Sequence, residues 1–123
     1  MATTPTKRTL DALRKAGWTV AVVERWNTHA KIRQDLFGFI DVLAIRDGVT
    51  LAVQACAGSG HSKRRDKILA EPRAALWLRG TGRQLDIWSW SQRGERGKRK
   101  VWTPRIEPIT LENFGPAVTY PLC

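Results

Sequence analysis

Residues 37–56 read FGFIDVLAIRDGVTLAVQAC. Two apolar runs flank Asp47-Gly48, a dipeptide suited to a two-residue hairpin turn. The stretch predicts two antiparallel strands, 37–46 and 49–56. Such a turn closes Arg46 on Val49, and counting back residue by residue sets Asp41 opposite Gln54. Side chains alternate along a strand. Val42, Ala44, Leu51 and Val53 therefore share one face, and Leu43, Ile45 and Ala52 the other. A sheet that is apolar on both faces needs helices on both sides. Asp41 interrupts the apolar pattern, and an acid there is costly unless it is paired or binds a metal. Directly opposed residues on one face have Cβ atoms about 4.5–5.5 Å apart. Cys56 projects on the same face, so Asp41, Gln54 and Cys56 are expected together, at the hairpin end remote from the turn.

Upstream, Thr4-Pro5 suits a helix start. Leu10, Leu13 and Ala16 recur at helical spacing and Gly17 stops the run, which predicts a helix over 5–16. Residues 18–24 (WTVAVVE) read as a strand. Residues 25–36 read as a polar connection carrying Arg25, His29, Lys31 and Arg33. Glu24 thus leaves one strand, and Asp35 enters the next, at the end where Asp41 lies. One edge of the sheet is expected to gather Glu24, Asp35, Asp41 and Gln54. Clustered oxygen ligands suit a hard cation such as Mg²⁺. Beside a basic groove, that cation would activate water and neutralise a phosphate oxygen. From spacing alone a second arrangement stays open, in which Asp41 forms a buried salt bridge to Arg33 or Arg64 and Gln54 caps a backbone group.

Downstream, a loop over 57–60 precedes a basic helix over 61–70, with Ser59 or Ser62 as its cap. Pro72 kinks or restarts this helix, and Ala75, Leu76 and Leu78 carry it on. Strands are expected over 85–90 and 101–106, joined by a basic turn. The tail from Pro108 is expected on the surface, with one helical turn near 111–114. The order is α-β-β-β-α-β-β in a single domain spanning 1–123, with its core over 5–106 and a surface tail over 107–123. His61, Lys63, Arg64, Arg65 and Lys67 open the basic helix, where a helix N-terminus and cations can hold phosphates. Arg93, Arg96, Lys98, Arg99 and Lys100 form a second basic group at a hairpin tip. Among six tryptophans, Trp88 and Trp90 share one strand face. They read as core or dimer packing, with base stacking as the alternative. Trp77 reads as core.

The chain has 123 residues, a length suited to one domain. Lys and Arg number 21 against 11 Asp and Glu, a net charge of +10 that attracts polyanions and points to nucleic acid. No apolar run approaches the roughly 18–20 residues of a membrane span. The polar N-terminus lacks a signal-peptide core, so a cytoplasmic protein is expected. Cys56 and Cys123 make neither a disulfide framework nor a zinc spacing, and Cys56 reads as a reduced strand residue.

A helix and a strand followed by IDVLAIRDGVTLAVQAC resemble the core of the PD-(D/E)xK, or restriction-endonuclease-like, nuclease superfamily. The pattern is closest to the archaeal Holliday junction resolvases and small phage nucleases. The resemblance covers residues 5–90 in order of elements and 37–56 at the level of the motif. It implies an αβββαβ core with a central mixed sheet flanked by helices, here with a further C-terminal strand. It also implies Mg²⁺- or Mn²⁺-dependent hydrolysis of DNA phosphodiester bonds, including branched or phage DNA, often by a homodimer. Asp41 matches the family's first acid. Gln54 stands in place of its second acid, and Cys56 in place of its lysine. Asp41 and Gln54 are then the expected catalytic pair, with Glu24 or Asp35 completing the metal site and Lys63, or His61 or Arg64, replacing the lysine. The departures leave open an inactive nuclease fold that keeps DNA binding. A Trp-mediated interaction module is the third reading.

Overall fold

The computed structural model describes residues 3–115. Helix α1 (Pro5–Lys15) starts where the sequence places it. Thr4 Oγ1 accepts the Lys7 N–H at 3.1 Å, and Pro5 occupies the first turn, where a missing N–H costs nothing. Gly17, at φ +94°, turns the chain into β1 (Thr19–Val22). The stretch expected as a plain connection instead contains a hairpin of β2 (Arg25–Asn27) and β3 (Ile32–Gln34). Its turn is set by Asn27, whose Oδ1 accepts the His29 and Ala30 N–H groups at 3.0 Å each. Such side-chain turns reverse a chain too short and polar to show strand periodicity.

The next strand also begins later than expected. Residues 37–40 form a turn bridged between Leu36 and Ile40, with positive φ at Phe37 and Gly38. Strand β4 (Val42–Arg46) then pairs with β5 (Val49–Ala57) across Asp47 and Gly48, both at positive φ as a tight hairpin turn requires. The register is Arg46↔Val49 through Val42↔Val53, as the turn dictates.

A 3-10 turn (Gly58–Gly60) leads into α2 (His61–Leu69). Gly60 is its cap, so neither Ser59 nor Ser62 plays that part. Pro72 opens a separate helix, α3 (Pro72–Leu78). Strands β6 (Arg83–Arg93) and β7 (Val101–Ile109) run longer than their apolar centres suggest. Ile109 is buried and Phe114, in a 3-10 turn (Leu111–Phe114), packs on the core. The core thus extends beyond residue 106, and residues 116–123 of the expected tail lie outside the described residues.

The architecture is mixed α/β, a five-stranded mixed sheet in the order β1-β4-β5-β6-β7. Among the described strands only β5 and β6 pair in parallel, and they are linked by a crossover through α2 and α3. Helix α1 covers Val42, Ala44, Leu51, Val53, Trp88 and Trp90. On the opposite face Ile68 and Ala74 of α2 and α3 close over Ala52, Leu85 and Ile87. Strand β7 is an edge and carries Pro104 and Pro108, which edge strands tolerate. No helix among the described residues is long and apolar enough to cross a membrane.

Candidate metal centre

At Asp41 the β4–β5 ladder changes step. Val42 is paired with Val53, yet the Asp41 N–H also donates to the Val53 carbonyl at 2.9 Å. Two residues therefore stand against one, the arrangement of a β-bulge, which re-aims a side chain. The Asp41 carboxylate turns back over β5, where Oδ2 accepts from Gln54 Nε2 at 2.6 Å and from the Ala55 N–H at 2.9 Å. The Val23 N–H donates to the Asp41 carbonyl at 2.9 Å, bringing the chain just after β1 alongside. Glu24 follows at once, and Asp35 arrives from the end of β3. One carboxylate oxygen from each of Glu24, Asp35 and Asp41 lies within 4.8 Å of the others.

Gln54 adds a second feature. Its side chain is buried and its Oε1 has no hydrogen-bond partner. A buried carbonyl oxygen left unpaired is costly, and here it belongs to a residue already bonded to the acid cluster. Opposite ligands around Mg²⁺ stand about 4.2 Å apart, and around Ca²⁺ about 5 Å. Three carboxylate oxygens at this spacing, with an amide oxygen wanting a partner, suit an oxygen-seeking divalent cation.

The electrostatics agree. Burial, the Asp35 hydrogen bond and the Asp35 charge push Asp41 up to about 8, against the bond from Ala55. Burial also opposes ionisation of Asp35, but its bond to Asp41 and the charge and hydrogen bond of Lys67 outweigh that and hold it below the ordinary value. Without a cation, ionisation is thus favoured at Asp35 and opposed at Asp41. Arg33 pairs with Glu24 at 3.0 Å and Lys67 with Asp35 at 3.3 Å. The salt bridge from Asp41 to Arg33 or Arg64 that spacing left open is replaced by this set.

The cluster opens into a cleft of about 390 Å³ whose walls include Pro5 and Thr6 of α1, and Arg64 and Lys67 of α2. Lys63 is exposed and is not among the cleft residues. Lys63 lies one helical turn before Lys67, on the same side of α2 but nearer the helix start. The cations that line the cleft with the acids are Arg33, Arg64 and Lys67. Cys56, in the position where the resemblance places lysine, is buried, and burial raises its thiol pKa.

Two other candidates for phosphate contact turn inward. His61 is 2% exposed, with Nδ1 2.6 Å from Ser89 Oγ and Nε2 2.7 Å from Glu107 Oε1. Arg65 Nε donates to Glu107 Oε2 at 2.9 Å. This network ties the start of α2 to β6 and β7. Its partners lie 28 and 46 residues from His61, too far for a local pattern to reveal. Trp88 and Trp90 face α1 rather than a ligand, and Trp90 Nε1 donates to Thr9 Oγ1 at 2.9 Å. Trp77 is half-buried against the other core.

Arg93, Arg96, Lys98, Arg99 and Lys100 are exposed around the β6–β7 turn. Strand β6 runs parallel to β5, and Trp90 is level with Ala57. The basic tip therefore extends from the same end of the sheet as the acid cluster, starting at Arg93, roughly 20 Å beyond the level of Gln54. The β2–β3 hairpin leaves that end at the opposite edge, after β1. No family model, curated protein or solved structure matches the chain.

Proposed function

We propose that this chain is a metal-dependent endonuclease of restriction-endonuclease-like build, hydrolysing phosphodiester bonds in DNA, branched DNA included. The observation that carries the reading is the convergence of Glu24, Asp35 and Asp41 beside Gln54, whose Nε2 bonds Asp41 and whose buried Oε1 has no partner. The resemblance assigns Asp41, just before β4, and Gln54, on β5, to a nuclease metal site. Glu24 and Asp35 supply carboxylates where Gln54 brings no charge. A cation held there, Mg²⁺ or Mn²⁺, would polarise a phosphate oxygen and lower the pKa of bound water. Arg64 and Lys67, on the cleft wall, are placed to take the negative charge that builds on the phosphate. They stand where the absent motif lysine would be expected to act. The net charge of +10 and the basic groups at both edges of this sheet end suit a long polyanion.

The test is cleavage of labelled single-stranded, duplex, flap and four-way-junction DNA with Mg²⁺, Mn²⁺ or EDTA. The nuclease reading predicts metal-dependent cutting by the wild type and a loss of at least about 100-fold in Asp41→Ala, with DNA binding kept. A second reading, a DNA-binding protein without catalysis, draws on the Arg33–Glu24 and Lys67–Asp35 pairs, which steady two of the acids without an ion. Binding with no cutting under any metal would establish it instead.

A further inference from the structure

The β2–β3 hairpin carries an exposed indole that no core packing explains. Trp26 is 57% exposed, whereas Trp88 and Trp90 are buried. It pairs directly with Arg33, so both project from one face of the hairpin. Alternation puts Glu24, two residues earlier, on that same face. Arg33 bridges the two features, since its guanidinium bonds Glu24 while its side chain stays 72% exposed. An indole and a cation thus sit about two residues, roughly 7 Å, along the strand from the acid cluster. That is close to the reach of one extended nucleotide.

Charge and stiffness point the same way. Arg25, His29 and Lys31 are exposed on the same short arm, which bears no acid between Glu24 and Asp35. The two hydrogen bonds that Asn27 Oδ1 accepts fix its turn, so the indole is presented on a preformed platform. An exposed aromatic set among cations is the combination that binds unpaired strands, because every base offers a π-face and every nucleotide a phosphate. A paired base within a duplex offers no free face to the indole.

Resting on the nuclease reading of the neighbouring site, we propose that Trp26 stacks on an unpaired base adjoining the scissile phosphate, so that the preferred substrate has a single-stranded segment at the β2–β3 arm. The occupant is a nucleic-acid strand, and a second protein copy is the competing outcome.

The experiment measures binding of a dye-labelled single-stranded oligonucleotide and its duplex to the full chain in EDTA, where no cleavage occurs. Wild type, Trp26→Ala and Trp26→Phe are compared, with circular dichroism to verify folding and sedimentation to follow self-association. Trp26→Ala should weaken single-strand binding by roughly 5- to 100-fold, Trp26→Phe should restore most of it, and duplex binding should stay unchanged. Equal losses on both ligands, no loss on either, or a changed oligomeric state with unchanged binding would overturn the proposal. Because the readout needs no metal, a chain that never cuts DNA can still pass this test. A chain that cuts but is indifferent to Trp26 fails it.

Discussion

Asp41 concentrates the chemistry in a single side chain. Its place in the apolar run IDVLAI is visible in the sequence, and the Asp47-Gly48 turn sets the register as far as Val42↔Val53. The expected pairing of Asp41 with Gln54 gives way to the bulge, and a side-chain bond holds the two together instead. The bulge is not visible, because it depends on which carbonyl the Asp41 N–H selects. Nor is the choice of Lys67 over Lys63, which lie one turn apart on the same side of α2. The buried carboxyl has a consequence for stability. The folded-state pKa of Asp41 is about 8, against 3.8 for the free side chain. Across that interval the folded chain holds a proton that the unfolded chain has released, so stability falls as pH rises through it. Asp35 is shifted the other way; its contribution is present above the ordinary carboxylate pKa and is lost only on further acidification. In EDTA the urea midpoint of the wild type should therefore fall between about pH 5 and pH 8. Asp41→Asn, which stays neutral, should flatten that decline. Parallel pH profiles for the two proteins would contradict the assignment.

Among the elements, α1, β4, β5 and the separate start at Pro72 follow from caps, turns and alternation. The β2–β3 hairpin does not, because three-residue strands with exposed, polar neighbours carry no periodic signal. The start of α2 shows the same limit at longer range. His61 opens a basic segment and looks like part of it, yet tertiary packing draws it inside, where it spans Ser89 and Glu107. His61→Ala removes both bonds, leaving Ser89 buried without this partner and Glu107 with Arg65 alone. The expected loss is about 2–3 kcal/mol of folding stability, read from urea unfolding. Lys63→Ala, on the exposed face of the same helix, should change stability by less than about 0.5 kcal/mol. If the two variants unfold alike, the buried network does not anchor α2.

At the scale of the molecule, the sheet directs its chemistry to one end. Glu24, Asp35, Asp41 and Gln54 meet where β1 and β5 end. The two basic arms leave from opposite edges of that end, roughly three or four strand spacings, or about 15–20 Å, apart. The other end holds the tight Asp47-Gly48 turn. Composition indicated a polyanion partner, but only the strand order shows that both arms flank the acids. That order rests on the parallel β5–β6 pairing, which is non-local and leaves no mark in a sequence window. The central claim is that the acids form a cation site within this frame. The measurement that tests it most directly is titration with Mn²⁺, followed by the electron paramagnetic resonance of the free ion, on wild type and Asp41→Asn. The account predicts about one bound ion per chain, displaced by Mg²⁺, with affinity lowered at least about tenfold in Asp41→Asn. No binding at millimolar Mn²⁺, or equal binding by both proteins, would contradict it.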